Sequence, residues 1–395
     1  MPWKECSVMD ERLKFVARLL EGEAMASICR EYGISRKTGY KIWERYRECG
    51  LKGLNDRSRR PYKQANQLPF QIEKMIVQIK KEKPNWGARK IRELLRKRIS
   101  GIQLPANSTV HAVLDRHGLV NAIKRRRYRA EGTALSCSNS PNDLWCADYK
   151  GEFMLGNKTY CYPLTITDFS SRYLLACEAQ ESTKASFAFT VFEKVFTEYG
   201  LPKAIRTDNG NPFSNVQAMF GLSQLSVWWL RLGIELERTE PGHPEQNGRH
   251  ERMHLTLKKE ATKPPGENLL QQQEKFDRFV SEYNSERPHE ALNMKTPHEF
   301  YKTSQSPYNG LPDVSYPLHD KTITVSLCGR ICIEGRKINF SRAFAGQDVG
   351  IKQVDDKIWL VSFMNYDLGF FDERAARVEP GKNPFGAKLL PMSSE

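Results

Sequence analysis

Three acidic side chains stand in settings that point to chemistry. Asp148 lies in WCADYKG, Asp208 in IRTDNGNPF and Glu251 in GRHERMHLTLKK, with 59 residues between the aspartates and 42 between Asp208 and Glu251. A carboxylate among apolar strand residues is costly unless it is paired or bound to metal. Three converging carboxylates would repel one another and raise each other's pKa. Two divalent cations remove that conflict, and an oxygen-only ligand set suits Mg²⁺ or Mn²⁺. Two such ions about 3.5–4 Å apart can activate an attacking oxygen and stabilise a leaving one. The set Asp148, Asp208 and Glu251 is therefore both the candidate catalytic triad and the candidate ligand set for two ions. Glu245 rivals Glu251, but it precedes the Asn-Gly turn. Asp168, in TITDFSSRY, is a second rival, better suited to capping its turn or pairing with Arg172.

These side chains need elements to hold them. From Asp143 the pattern becomes strand-like: LWCADYKGEFML, KTYCYPLTITDF and SRYLLACEAQ read as three consecutive strands, plausibly an antiparallel meander. Helix 184–199, a short strand in KAIRTDNG, a helical segment 214–232, strand 234–238 and helices 246–260 and 268–284 follow. This order describes a mixed sheet with helices on its faces. On helix 246–260, Asn247, Glu251 and Lys258 share one face at about 100° per residue. Lys258 could hold a phosphate beside the carboxylates, with Asn247 near it. Trp145, Trp228 and Trp229 read as packing aromatics.

The amino-terminal third is built differently. Residues 1–140 carry a charge of +17 and residues 141–395 carry −3, which makes the +14 of the 395-residue chain. Such a split points to a polyanion, with nucleic acid the usual partner. Residues 9–20, Ala24–Tyr32 and a third segment from the N-cap Ser35 to Gly50 read as three helices with a Gly33 turn, a helix-turn-helix over 1–52. Its last helix would present Arg36, Lys37, Thr38, Tyr40 and Lys41 to base edges. A basic linker over 53–68 follows, whose Arg57, Arg59 and Arg60 would lie along phosphates. Helices Phe70–Lys83, Trp86–Arg98 and Ser108–His117, the last capped by Ser108, suggest a second helical DNA-binding domain over 69–130. It ends in Lys124, Arg125, Arg126 and Arg127, another phosphate-tracking run. Six short strands from 321 suggest a small β-barrel over 321–375. The expected fold class is thus multidomain, α then α/β then β.

Taken together, Asp148 on the first strand, TDNG at 207–210, PGHPEQNGRHERMHLTLKKE at 241–260 and YNSERPHEAL at 283–292 resemble the catalytic core of DDE transposases. That core is similar to those of retroviral integrases and bacterial insertion-sequence transposases, over about 140–302. GLNDRSRRP after a helix-turn-helix resembles the amino-terminal part of the bacterial members. The resemblance implies an RNase H-like integrase core with Asp148, Asp208 and Glu251 as the metal-binding triad. It implies a transposase that cleaves a phosphodiester at the ends of a mobile element and joins the 3′-OH to target DNA. The partners would be double-stranded DNA and further copies of the chain, since two ends must be joined. The HHCC zinc module of retroviral integrases is missing. His111, His117, Cys137 and Cys146 lack CxxC spacing, so no zinc is assigned.

Two other readings compete. His250-Glu251-Arg252-Met253-His254 spells HExxH, a zinc-hydrolase pattern, though it leaves Asp208 and the basic arm unexplained. A DNA-binding regulator with an inactive core would need no carboxylates. No run approaches about 18 apolar residues, so no membrane span is expected. The start shows no apolar signal region, and nine cysteines without CxxC suit reduced thiols. A cytoplasmic, nucleoid-associated protein is the expectation.

Overall fold

Ser7 accepts the amide of Asp10 and starts α1 (Val8–Leu20). A computed structural model describes residues 7–56, 68–99, 101, 103–120, 135–136, 138–240, 243–333, 335–372 and 377–385. Arg57, Arg59 and Arg60 of the arm, and Lys124, Arg125, Arg126 and Arg127, lie outside the described residues. The chain forms two units, residues 1–69 and 70–395. In the first, α2 (Met25–Glu31) and α3 (Arg36–Cys49) follow α1. Gly33, at φ 65°, makes the turn before α3, and the Ser35 hydroxyl accepts the Thr38 amide at 3.2 Å. Phe15, Val16, Ile28 and Cys29 form the core, closed by Leu54 from a 3₁₀ turn. α3 crosses this core at Gly39, where a Cβ would stand 2.5 Å from Cys29 Sγ and 3.0 Å from Phe15 Cζ. Only glycine permits that approach.

The second unit begins with α4 (Phe70–Glu82), α5 (Ala88–Arg98) and α6 (Asn107–Arg116). Ile76, Ile91, Leu95 and Val110 are fully buried where they meet. The expected Ser108 cap is absent: α6 starts a residue earlier, behind Ala106, with no side-chain cap. Arg92 donates to the buried Pro105 carbonyl at 2.8 Å, and this tie to α5 sets where the helix begins.

The central sheet contains β1 (Leu144–Tyr149), β2 (Phe153–Met154), β3 (Tyr160–Asp168), β4 (Leu174–Gln180), β5 (Ala204–Thr207) and β6 (Glu235–Arg238). Its main order is β4-β3-β1-β5-β6, with β2 a short addition beside β3. β1, β3 and β4 form the expected antiparallel meander, and β5 and β6 run parallel to β1. This is the RNase H-like arrangement. α7 (Ala185–Tyr199) and α8 (Gln224–Arg231) pack one side through Phe192, Phe196 and Trp229. α9 (Gly248–Glu260) and α10 (Leu269–Ser285) pack the other through Met253, Leu257 and Phe276. Trp145 and Trp229 are buried and Trp228 packs beside them, as their aromatic surface requires. The helix expected over 214–232 shrinks to α8. Gly221, at φ 66°, precedes a capping box in which Ser223 and Ser226 satisfy each other's amides.

The carboxy-terminal strands are β7 (Lys321–Thr324), β8 (Arg330–Ile333), β9 (Arg336–Asn339), β10 (Asp348–Asp355), β11 (Ile358–Phe363), β12 (Tyr366–Asp372) and β13 (Glu379–Pro380). They do not close into the expected barrel. The sheet β13-β12-β11-β10-β7 stays open, and β8-β9 is a separate hairpin. Its apolar face has another cover: Leu222 beside α8, and Val227 and Leu230 on it, join Phe344, Val361 and Phe363 in one core. A sheet whose inner face is covered by a helix gains no further burial by closing. Among the described residues no helix is long and apolar enough to cross a membrane.

Candidate active site

Parallel pairing of β1 with β5 sets Cys146 level with Arg206. Two residues on, Asp148 and Asp208 come level at the carboxyl edge of the sheet. Asp208 lies just past β5, where its Oδ1 accepts the Gly210 amide at 3.1 Å. A Cβ on Gly210 would stand 2.9 Å from Asp208 Oδ2, so the glycine of TDNG keeps this turn open. Asn209 fixes the loop by donating to the Thr239 carbonyl at 2.7 Å.

α9 carries the candidate third carboxylate, Glu251. Its buried face holds His250, Met253 and Leu257, and Glu251 and Lys258 are exposed on the flank. Asn247 occupies the N-cap position and makes no side-chain cap bond. Asp208 and Glu251 both lie near enough to Asp148 to act on it electrostatically. Burial pushes the Asp148 carboxyl up to about 7, and the charges of Asp208 and Glu251 push the same way, against the Tyr149 amide. An unbalanced acidic cluster is what a divalent cation relieves, so these residues fit the expected ions.

The histidines of HExxH face the sheet. His250 and His254, four apart on a helix, lie over Thr165 and Thr167, two apart on β3. Thr165 Oγ1 donates to the Asp148 carbonyl at 3.0 Å, so it must accept from His250 Nε2 at 2.7 Å and His254 Nε2 at 2.8 Å. Thr167 meets His250 Nδ1 at 3.0 Å. Burial holds His250 well below the usual histidine range, helped by His254, and holds His254 down at about 3, helped by Lys150. Asp148, His250 and His254 each bring a ligand atom within 4.8 Å of the others. Both His250 nitrogens are nevertheless engaged by threonines, so the zinc-hydrolase chelate loses its first ligand. His254 Nδ1 keeps its lone pair, 3.8 Å from Asp148 Oδ2.

Asp168 is a turn cap. It accepts the Asn142 amide at 2.8 Å and the Ser171 amide and hydroxyl at 2.8 and 2.6 Å, and its carboxylate makes no ion pair with Arg172. Sequence reasoning passed over Lys150, two residues beyond Asp148. Burial lowers the Lys150 ammonium, and the nearby charge of Lys258 lowers it further. The signal was present, since residues two apart on a strand share a face. In the first unit, Arg36, Lys37, Thr38, Tyr40 and Lys41 are all exposed on α3.

An integrase core domain family matches residues 138–244 and a second integrase core domain family matches 232–297. A helix-turn-helix domain matches 11–62 and a homeodomain-like domain matches 38–114. An uncharacterized 39.2 kDa protein of insertion element IS476 from Xanthomonas euvesicatoria is 23% identical over 293 residues, covering 73% of this chain and 82% of that one. The transposase for insertion sequence element IS904 from Lactococcus lactis is 24% identical over 258 residues, 62% of this chain and 98% of that one. Among solved structures, the HTLV-2 integrase catalytic core domain in complex with magnesium matches with a TM-score of 0.33 and 17% identity, over 41% of this chain and 98% of that one.

Proposed function

We propose that this chain, an insertion-element transposase-type protein with an integrase core behind helix-turn-helix domains, cleaves a phosphodiester at the 3′ ends of a mobile element and joins the 3′-OH to target DNA. The observation that supports the reading is the raised Asp148 carboxyl, pushed up by burial first and then by the charges of Asp208 and Glu251. Two Mg²⁺ or Mn²⁺ ions bound there would supply the charge that steadies attacking and leaving oxygens. The protein's own residues do the positioning. Thr165 holds His254 so that its neutral ring lies beside Asp148. Lys150 and Lys258 place positive charge where a DNA phosphate would pass, and Asn247 offers an uncommitted amide at the start of α9. Hydrolysis and strand transfer are both displacements at phosphorus, so one site serves both. Two element ends must meet, so the working form is a multimer on DNA.

The test is strand transfer of a pre-cut end oligonucleotide into plasmid. Activity is expected with Mg²⁺ or Mn²⁺ and not with Ca²⁺, which prefers six to eight loosely arranged oxygens. End binding should survive in Ca²⁺. A requirement for Zn²⁺, or loss of activity to a zinc-selective chelator in excess Mg²⁺, would overturn the all-carboxylate pair of ions.

DNA reading divides along the chain. Neutralising Arg57, Arg59 and Arg60 together should weaken binding to every sequence and flatten its salt dependence by up to about 0.9 in log–log slope per lost phosphate contact. Changing Arg36 or Lys41 on α3 should alter which sequence is preferred. Equal loss on all sequences after Arg36→Ala would assign that side chain to phosphate alone.

A further inference from the structure

α5, α9 and the end of α10 border an open cleft of about 630 Å³ that plays no part in the site above. Its wall carries Lys90, Arg172, Arg249, Arg252, Arg287 and His289. Two of these cations are engaged. Arg287 donates to both oxygens of Glu260 at 2.9 Å, and Arg249 stacks 3.9 Å over the Phe169 ring. Glu290, the carboxylate in the wall, faces Arg89 at 3.4 Å. Lys90, Arg172 and Arg252 have no carboxylate partner among the described residues.

Lys90 and Arg172 are half-buried, whereas Arg249 and Arg252 are exposed on α9. Burial pushes the Lys90 ammonium down to about 8, with Arg287 adding to the effect, and lowers the Arg172 guanidinium to about 10, with Arg249 adding to it. His289 is kept neutral, and its Nε2 is buried without a hydrogen-bond partner. Confining like charges without a counter-charge is costly, and an anion in the cleft removes the cost.

The position of the cleft says which anion. On α9, Arg249, Arg252 and Thr256 line it at i, i+3 and i+7. Glu251, His254 and Lys258 repeat that spacing about 200° round the helix, with buried Met253 and Leu257 between the two flanks. A helix with its side chains is about 10–12 Å across. Nucleotides advance about 3.4 Å each along a strand of duplex, so that width is about three steps.

We propose that this cleft is a second phosphate site, which grips the backbone of the DNA strand about three nucleotides from the reacting phosphodiester. The assignment rests on the transposase reading above. Arginines that fork onto phosphate oxygens and a lysine that adds a point charge are the residue types for it. DNA led over α9 would be held on one flank and cut on the other.

The experiment compares the full-length chain with Lys90→Met, Arg252→Ala and the double variant, binding a pre-cut end oligonucleotide in Ca²⁺ over a range of salt. The double variant should bind more weakly, with a log–log salt slope smaller by about 1–2, at about 0.9 per lost phosphate contact. Lys90→Arg should restore most of the slope lost in Lys90→Met, which a folding defect would not allow. Single methylphosphonates along the strand locate the contact. One about three nucleotides from the 3′ end should weaken the unaltered chain several-fold and leave the double variant unaffected. Equal slopes, or equal methylphosphonate effects in both proteins, would overturn the site. Tripolyphosphate is the probe for a free polyanion. If it stabilises the protein through Lys90 while the methylphosphonate scan is flat, the cleft does not serve DNA. Asp148→Asn run alongside separates the two ideas: cleavage persisting there sinks the transposase reading, whereas unchanged slopes with cleavage lost sink only this site.

Discussion

Asp148→Asn, Asp208→Asn and Glu251→Gln should each lower cleavage and strand transfer by more than about 10³-fold, about 4 kcal/mol of transition-state stabilisation. Each change removes one anionic ligand and keeps the shape of the side chain. None touches α3, so binding to element ends should stay within a factor of a few. The structure makes the three unequal in the apo state. Asp148 is half-buried and feels the charges of the other two, and Asp208 is fixed by the Gly210 amide. Glu251 is exposed on α9. Glu251→Gln should therefore leave the metal-free fold nearly untouched while it abolishes turnover. Cleavage assays beside filter binding check this, and an active Glu251→Gln protein would return attention to Glu245.

The candidate triad stands out in the sequence because its chemistry leaves marks at short range. TDNG carries its own turn, and Asp148 is an acid inside an apolar run, which demands a reason. The meander and the helix boundaries followed from periodicity and caps such as Ser35. What the sequence hid depends on tertiary partners. The barrel expectation failed because α8, 90 positions upstream of β7, covers the apolar face that a barrel would have closed on. The HExxH spacing marked His250 and His254 as a pair, but only the pairing of β1 with β3 reveals Thr165 and Thr167 beneath them. Lys90 and Arg252 lie 162 positions apart, and nothing local marks either as the wall of one cleft.

Removing the Asp148 charge should stabilise the metal-free protein at high pH, the reverse of the usual cost of changing a buried site residue. The Asp148 carboxyl is raised from 3.8 to about 7, by burial first and by Asp208 and Glu251 next. In the unfolded chain it ionises near the ordinary aspartate value. Between about pH 4 and 7 the folded protein therefore holds a proton that the unfolded chain has lost. Stability falls as pH rises through that window and stays low above it. At 1.36 kcal/mol per tenfold, the penalty at pH 8 is about 4 kcal/mol. Asp148→Asn carries no charge and escapes it, less the cost of burying an amide. With a chelator present, the variant should melt several degrees above the unaltered chain at pH 8, and the two should nearly coincide at pH 4.5. Mn²⁺ should reverse the order at pH 8, because only the carboxylate gains from the ion. Proton release on Mn²⁺ binding should likewise be larger at pH 6.5 than at pH 8. If the variant melts at the same temperature as the unaltered chain at pH 8 without metal, Asp148 is not the strained acid that the convergence of three carboxylates requires.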